Sequence, residues 1–380
     1  MRNIGKRFLI VLGALALLAA ACGGSDSSEA ASSGERGTGE NCEAINNVNL
    51  QLQWFAQAQF AGYYAAADEG FYTDRCLNVT IIEGGVDIVP VQQLASGTAD
   101  FAISWVPRAL ASRAGGLDIV NVGQMFQRSG TLQVSFADSG ISGPADFAGR
   151  NIGSWGFGNE FELLAGSRQA GVEPGVDYEI VQQNFDMLAL INGEIDAAQA
   201  MIYNEYAQVL ETVNPETGEL FTADDLTIID WNDEGTAMLQ DAIWADGTRL
   251  GDADYQDITT RFLAASIEGW AWCRDNADGC IDVVLANGTT LGESHQRWQL
   301  NEINALIWPS PGGAAVMDAT LWDQTVEIAT SEGILESAPD GDSFTTEFAT
   351  AAVELVADAG VDTTGGDFSR IEVTLNEGGE

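Results

Sequence analysis

The chain has 380 residues and a formal net charge of −42, because 57 acidic residues outnumber 15 basic ones. So acidic a surface argues against nucleic acid and anionic membrane surfaces as binding partners. The length accommodates two lobes, at about 100–200 residues per domain.

The chain begins with the pattern of a secretory signal. Arg2, Lys6 and Arg7 precede the apolar run FLIVLGALALLAA, which is too short to span a membrane comfortably. Small residues then lead to Cys22, and LLAAAC resembles the processing site of bacterial lipoproteins, where the cysteine becomes the lipidated N-terminus. We predict a signal peptide at 1–21 and lipidation of Cys22. The alternative is an ordinary cleaved signal that leaves Cys22 unmodified.

A flexible tether follows the cysteine. Residues 22–45 are rich in glycine, serine and acids, a composition that cannot form a packed core. No later apolar segment approaches the ~20 residues that a membrane-spanning helix requires. We therefore expect a globular protein that is lipid-anchored at the extracytoplasmic face of the cell membrane.

The remaining cysteines indicate disulfides. Cys42, Cys76, Cys273 and Cys280 form an even set, for which three pairings are possible. The short loop RDNADG favours joining Cys273 to Cys280, which leaves the other two together, each just before a predicted strand. Zinc is the rival interpretation, but the chain has no Cys-x-x-Cys pair and a single histidine, so we predict no metal site.

Strand-like and helix-like segments alternate from residue 46, which indicates βαβ units and mostly parallel sheets flanked by helices. LASGTADFA at 94–102 shares its Leu, Gly, Asp and Ala positions with LINGEIDAA at 190–198, so we expect two similar lobes. The pattern becomes helical from about residue 255. We predict lobe 1 at 46–128, lobe 2 at 129–235, and a return to lobe 1 with C-terminal helices and a loose tail at 236–380.

Aromatic and polar residues follow the predicted strands, at the end where open α/β sheets bind ligands. Aromatic rings there would stack on a flat heteroaromatic ligand, while amides and carboxylates would contact its polar edge. The candidate ligand-binding residues are Trp54, Gln57, Phe60, Tyr63, Asp87, Ser104, Trp105, Trp155, Gly156, Gly158, Asn159, Glu160, Tyr203, Asn204 and Glu205. For Phe55, Tyr64 and Phe157 a place in the core is an equal alternative.

The segment GFGNEF resembles the start of a dinucleotide fingerprint, but Phe161 occupies the third glycine position, so we predict no Rossmann cofactor. Asn159 and Glu162 instead have the spacing of a capping box, and Glu160 suits a ligand donor such as an exocyclic amine. No G-x-S-x-G motif is present, and we interpret His295 as a surface or packing residue. We predict no catalytic residue and no cofactor.

Four segments in order carry a family resemblance, over roughly residues 46–275. They are WFAQAQFAGYYAAADEGFYTDRCLNVTIIEGG, QQLASGTADFAISW, FAGRNIGSWGFGNEFE and INGEIDAAQAMIYNEY. They resemble substrate-binding lipoproteins of ABC importers with the thiamine-pyrimidine-synthase-like domain, a group that includes binders of thiamine pyrimidine precursors, riboflavin, sulfonates and nitrate. The resemblance implies a two-lobed type II periplasmic-binding fold, ligand capture by lobe closure, and delivery to a membrane permease with an ATPase subunit. We expect a monomer.

The same family includes enzymes that synthesise the thiamine pyrimidine, using pyridoxal phosphate on a lysine, an active-site histidine and iron. Lys6, within the predicted signal peptide, is the only lysine here, and Phe60 stands at the histidine position, so we expect a binding protein and not an enzyme. Phe60 and Trp105 replace the histidine and tyrosine of the pyrimidine binders, which favours riboflavin or another larger ring.

Two alternatives remain open. A binder of sulfonate, taurine or nitrate is disfavoured because the candidate cleft offers one cation, Arg108, against the acids Asp87, Glu160 and Glu205. A ligand-sensing ectodomain would share the same fold.

Overall fold

The computed structural model describes residues 42–288 and 290–380. The predicted signal peptide, Cys22 and the predicted tether as far as residue 41 lie outside the described residues. Within the described part of the chain, no helix combines the length and the apolar character needed to cross a membrane.

The described strands form a five-stranded, a three-stranded and a two-stranded sheet. The strands are β1 (Asn46–Gln51), β2 (Leu77–Ile82), β3 (Phe101–Trp105), β4 (Ile119–Gln124), β5 (Thr131–Phe136), β6 (Asn151–Ser154), β7 (Glu179–Gln182), β8 (Ala198–Met201), β9 (Leu226–Asp230) and β10 (Asp241–Asp246). The first sheet has the order β2-β1-β3-β10-β4, the second β8-β5-β9, and the third β6-β7. We call the region built on the first sheet lobe 1, and the region built on the other two lobe 2.

The chain crosses between the sheets twice. It leaves lobe 1 after β4, and it returns from β9 to β10 through residues 231–240. Because β10 enters the first sheet on this return, it runs antiparallel to both β3 and β4, whereas β1 pairs in parallel with β2 and β3. In lobe 2, β5 is antiparallel to β8 and β9, while β6 and β7 are parallel. The sheets are therefore mixed, with fewer parallel strand pairs than the sequence suggested. The exact residues at which one lobe ends and the next begins remain predictions.

The repeated Leu-Gly-Asp-Ala segment performs the same task in both lobes. The Asp100 carboxylate accepts the backbone N–H of Asn49 at 2.8 Å, and the Asp196 carboxylate accepts that of Asn151 at 2.7 Å. Each aspartate also donates its own backbone N–H to the carbonyl oxygen of the same asparagine, at 2.8 Å in both cases. The turn after each helix thus fixes the neighbouring strand, within β1 at Asn49 and at the start of β6 at Asn151.

Thirteen α-helical segments lie in the described residues. They are α1 (Ala61–Asp68), α2 (Phe71–Asp74), α3 (Pro90–Ala95), α4 (Val106–Ala114), α5 (Phe161–Gln169), α6 (Leu188–Ile191), α7 (Glu205–Leu210), α8 (Trp231–Glu234), α9 (Ala253–Asp275), α10 (Ala277–Ala286), α11 (Glu293–Ile307), α12 (Ala319–Ser331) and α13 (Glu347–Asp358). The long helix α9 packs between α1 and α13, against lobe 1 as expected.

Two of the C-terminal helices also contact lobe 2. Helix α12 packs on both α4 and α5, and in α11 the Trp298 indole N–H donates to the Ile202 carbonyl oxygen at 2.9 Å. The predicted loose tail is likewise held: the Ile371 N–H donates to Asn301 Oδ1 at 2.9 Å and the Gly378 N–H to the Glu211 carbonyl oxygen at 3.0 Å. Expecting a loose tail was therefore wrong, because its backbone finds partners on α11 and beside α7.

Both disulfides follow the pairing that the sequence favoured. Cys42 is joined to Cys76, with their Cα atoms 5.6 Å apart, and Cys273 to Cys280, with theirs 5.1 Å apart. The first bond links the chain before β1 to the chain before β2, and the second links the end of α9 to α10.

The close approach of α1 and α9 depends on two glycines. A Cβ added to Gly269 would lie 2.0 Å from the carbonyl oxygen of Gly62, so a side chain has no room there. We predict that Gly269→Ala lowers the free energy of unfolding by about 2–3 kcal/mol or more, as in an overpacked core. Urea denaturation measures this change.

Gly143→Ala serves as the matched control, because Gly143 has an extended backbone and a Cβ added there would meet no atom within 4 Å. Equal stability of the two variants would contradict the tight α1–α9 contact.

Candidate functional site

A cavity of about 530 Å³ lies between the two lobes. Its wall combines aromatic rings, amides and carboxylates from the loops that follow the strands. The lining residues are Gln53, Trp54, Gln57, Gln59, Gly85, Val86, Asp87, Val89, Trp105, Arg108, Trp155, Phe157, Asn159, Phe185, Met201, Tyr203, Asn204 and Glu205.

Most of the predicted ligand-binding residues line this cavity. They are Trp54, Gln57, Asp87, Trp105, Trp155, Asn159, Tyr203, Asn204 and Glu205. They converge because the loops after β1, β2, β3, β6 and β8 all open toward the gap between the lobes.

Phe60 and Tyr63 do not line the cavity. Phe60 is fully buried in the core, and the Tyr63 ring packs edge-on against Trp270 with the ring centres 5.9 Å apart. Phe60 ends a 3₁₀ turn (Ala58–Phe60) and Tyr63 lies in the first turn of α1, and both side chains enter the core of lobe 1. The preceding Gln57 and Gln59 face the cavity. Assigning these two aromatics to the ligand was therefore wrong.

Four further candidates also lie off the cavity wall. Ser104 lines a neighbouring cavity, and Gly156 and Gly158 shape a turn, both with positive φ. The Glu160 carboxylate accepts the N–H of Gly158 at 2.9 Å, so it binds its own loop instead of offering itself to a ligand amine. The capping box is also absent, since Glu162 instead accepts the backbone N–H of Met238 at 2.6 Å.

Aromatic rings from both lobes meet at the cavity. Trp54 of lobe 1 contacts Phe185 of lobe 2 with ring centres 5.1 Å apart, and Trp155 stacks on Phe185 at 5.9 Å with an interplanar angle of 21°. Sequence reasoning missed Phe185, although its place just after β7 is the same signal that identified the other aromatics. The two lobes thus share one aromatic wall.

Phe157 is held in an unfavourable backbone conformation. Its φ of 56° lies in the left-handed region, between two glycines with φ of 68° and 89°. The ring is 74% exposed and lines the cavity, so the sequence alternative of a core residue does not apply. Strain at an exposed aromatic residue of this kind is commonly associated with function.

A buried carboxylate on β10 organises one side of the wall. Asp241 Oδ1 accepts from Gln53 Nε2 at 2.6 Å and from Trp105 Nε1 at 2.8 Å, and its Oδ2 accepts from Gln59 Nε2 at 3.0 Å. Desolvation by burial raises the pKa of Asp241 to about 7, against the opposing effect of these hydrogen bonds. Asp241 therefore positions three residues that line the cavity.

A second network reaches the cavity from the opposite side. The Asn204 amide donates to Glu205 Oε1 at 2.8 Å, and Glu205 Oε2 accepts the N–H of Met201 at 3.0 Å. His295 Nε2 lies 2.9 Å from Asn204 Oδ1, and its Nδ1 lies 2.8 Å from Glu211 Oε1. His295 is buried and hydrogen-bonded, which excludes the surface alternative and agrees with the packing alternative. Burial raises the pKa of Glu205.

Helix α11 also supports the loop that carries the cavity glutamines. Gln296 Oε1 accepts the backbone N–H of Ala58 at 2.7 Å, and Gln299 Oε1 accepts that of Gln59 at 3.1 Å. Gln57 Nε2 in turn donates to Gln59 Oε1 at 2.7 Å. The loop between β1 and α1 therefore takes its shape from a helix more than 200 residues later in the chain.

The resulting cavity suits a flat ligand with a polar edge. Its rings offer stacking surfaces, and the carboxylates of Asp87 and Glu205 offer acceptors for ligand donors. Across residues 42–288 and 290–380, no group of three histidine, cysteine, aspartate or glutamate residues is arranged to hold a metal ion.

The raised pKa of Asp241 gives a testable pH dependence. Between about 4 and 7 the folded state retains a proton that the unfolded carboxyl, with a pKa near 3.9, has lost. The free energy of unfolding therefore falls as the pH rises through this range. Asp241→Asn removes the titration, so from pH 5 to 8 the wild type should lose about 2–3 kcal/mol relative to the variant.

Urea denaturation at a series of pH values measures this difference. Asp233→Asn, at an exposed position in α8, is the control and should follow the wild-type profile. Parallel profiles for the wild type and Asp241→Asn would contradict a proton bound at this buried carboxyl.

Comparison with known proteins places the chain in a family. Residues 57–279 match the model of the family described as NMT1/THI5 like. The chain is 26% identical over 323 residues to the riboflavin-binding protein RibY of Chloroflexus aurantiacus, which covers 80% of this chain and 86% of that protein. It is 23% identical over 254 residues to the formylaminopyrimidine-binding protein of Halalkalibacterium halodurans, covering 66% and 73%.

The fold is also shared with a solved structure. The periplasmic aliphatic sulphonate binding protein SsuA from Escherichia coli superposes with a TM-score of 0.57 at 15% identity, covering 87% of this chain and 97% of that one. This likeness confirms the two-lobed fold of a periplasmic binding protein. The chain belongs to the NMT1/THI5-like family.

Proposed function

We propose that the protein is the extracytoplasmic substrate-binding lipoprotein of an ABC importer, and that it captures a small heteroaromatic vitamin or vitamin precursor. The observation that carries the proposal is the aromatic wall shared by the two lobes, in which Trp54 of one lobe contacts Phe185 of the other. A flat ring inserted beside these side chains would contact both lobes at once.

Lobe closure would couple this contact to transport. Ligand first stacks on one lobe, and contacts from the other lobe then stabilise the closed state alone, which shifts the population toward it. The crossings at 125–130 and 231–240 are the segments about which the lobes would turn. The closed protein would then present both lobes to the permease, while a lipid on Cys22 keeps it at the membrane.

Two relatives support the ligand class, because one is named for formylaminopyrimidine and the other for riboflavin. Binding is favoured over pyrimidine synthesis, since the only lysine of the chain is Lys6 and a Schiff base with an aldehyde cofactor requires a lysine amine. We propose a binding protein that acts as a monomer.

The test is a ligand titration followed by tryptophan fluorescence and melting temperature. The panel is thiamine, its aminopyrimidine precursor, riboflavin, taurine and nitrate. We expect quenching and a raised melting temperature with one of the heteroaromatic compounds, since Trp54, Trp105 and Trp155 line the cavity. A response to taurine or nitrate alone would contradict the proposal and support a small-anion binder.

Phe157 offers a variant pair that separates ligand binding from folding. Phe157→Gly removes both the ring and the left-handed strain, whereas Phe157→Ala removes the ring and keeps the strain. Both variants should weaken binding of the responding ligand by about tenfold or more, as for an aromatic contact residue. Only Phe157→Gly should gain stability, by about 1 kcal/mol.

Isothermal titration and urea denaturation measure the two effects. Wild-type affinity in both variants would remove Phe157 from the ligand site.

A further inference from the structure

Arg108 is a cation without a partner at the edge of the ligand cavity. It lies in the first turn of α4, and within residues 42–288 and 290–380 its guanidinium forms no hydrogen bond or ion pair. It lines both the aromatic cavity and an adjoining cavity of about 300 Å³. It therefore stands where the two spaces meet.

The other arginines of the described chain are all engaged. Arg128 donates to backbone carbonyl oxygens, including that of Pro309 at 3.0 Å. The remainder contact carboxylates: Arg75, Arg113, Arg150, Arg168, Arg249, Arg261, Arg274, Arg297 and Arg370. In a protein with so large an excess of acids, an unpaired arginine is an exception that requires a reason.

Burial makes this exception energetically significant. The Arg108 side chain is only partly exposed, and desolvation lowers the pKa of its guanidinium. A partly desolvated charge is stabilised by an anion that brings hydrogen-bond acceptors, and the planar guanidinium fits phosphate, sulfonate and carboxylate groups in a bidentate manner.

The carboxylates on the cavity wall do not fill this role. Glu205 accepts the Met201 N–H and the Asn204 amide, and within the described residues neither Glu205 nor Asp87 forms an ion pair with Arg108. The acceptor for Arg108 must therefore come from outside the described chain.

A second unpaired donor belongs to the wall of the same cavity. The indole N–H of Trp155 is buried, has no acceptor in the described part of the chain, and belongs to a residue that lines the aromatic cavity. Trp155 is only 3% exposed, so a ligand oxygen could accept from this N–H only after the indole turns toward the cavity.

We propose that the ligand carries an anionic group, of the phosphate, sulfonate or carboxylate type, which Arg108 binds where the two cavities meet while the ring occupies the aromatic cavity. This inference rests on the proposed function only in assuming that the ligand has an aromatic ring. The contact between Arg108 and the anionic group does not depend on which aromatic ring the ligand carries. The adjoining cavity then accommodates the part of the ligand beyond the ring.

The test uses matched neutral and anionic probes on the full-length protein. The pairs are riboflavin with riboflavin 5′-phosphate, and phenol with phenyl phosphate, benzenesulfonate and benzoate. We expect each anionic probe that binds to do so about 10–100-fold more tightly than its neutral partner in the wild type, as for a charge-assisted hydrogen bond. In Arg108→Gln this preference should disappear, because the affinity for the anionic probe falls toward that for the neutral one.

Arg297→Gln is the control, because it changes the net charge equally at an ion pair on α11 with Asp278. It should keep the wild-type preference. Loss of both affinities together in Arg108→Gln, an equal affinity of the wild type for both members of every pair, or no binding of any anionic probe would each overturn the inference.

The two proposals can fail separately. If riboflavin binds and its phosphate binds no better, the anion site is wrong and vitamin capture stands. If thiamine, its aminopyrimidine precursor and both flavins fail to bind but the phenyl anions bind through Arg108, the anion site stands and vitamin capture is wrong.

Discussion

The ligand cavity depends on a carboxylate that the folded protein removes from water. Asp241 lies on the return strand β10 and accepts hydrogen bonds from Gln53 and Gln59, which follow β1, and from Trp105, the last residue of β3. A buried carboxylate is tolerated only when hydrogen-bond donors surround it. The three side chains are therefore held in place around Asp241 by the hydrogen bonds that this carboxylate requires. The strand that carries the chain back to lobe 1 thus also determines the shape of the binding site.

Helix α11 provides the second constraint and connects the lobes. Gln296 and Gln299 hold the glutamine loop of lobe 1, while His295 holds Asn204 and Glu211 in the α7 region of lobe 2. Contacts on both sides of the cavity therefore converge on one short stretch of one helix. Any change in the relative position of the lobes must be accommodated by these hydrogen bonds, which links ligand capture to the C-terminal part of the chain.

The sequence predicted the parts of the site that depend on local order. Aromatics such as Trp54, Trp105 and Trp155 were found because the ends of neighbouring parallel strands share one edge of a sheet. Phe60 was misplaced because the pattern locates the start of a helix but not the direction of each side chain in its first turn. The two-lobed fold followed from the repeated turn segments, while the antiparallel course of β10 did not, since it results from the return crossing.

The residues that the sequence could not identify act over long separations. Asp241 meets Gln59 across 182 positions, and His295 meets Glu211 across 84, so no spacing rule brings them together. That Arg108 has no partner among the described residues is likewise visible only in the three-dimensional structure. Local patterns thus identify residues of the cavity wall, and tertiary contacts determine which hydrogen bonds hold these residues and which of their charges are paired.

The identity of the natural cargo tests capture of a heteroaromatic ring between the lobes most directly. Protein purified from its native source without exposure to added ligands would be denatured, and the released small molecules identified by mass spectrometry and ultraviolet absorbance. We expect a heteroaromatic compound in near-stoichiometric amount. Release of an aliphatic sulfonate or an inorganic anion instead would contradict capture of a ring by the shared aromatic wall.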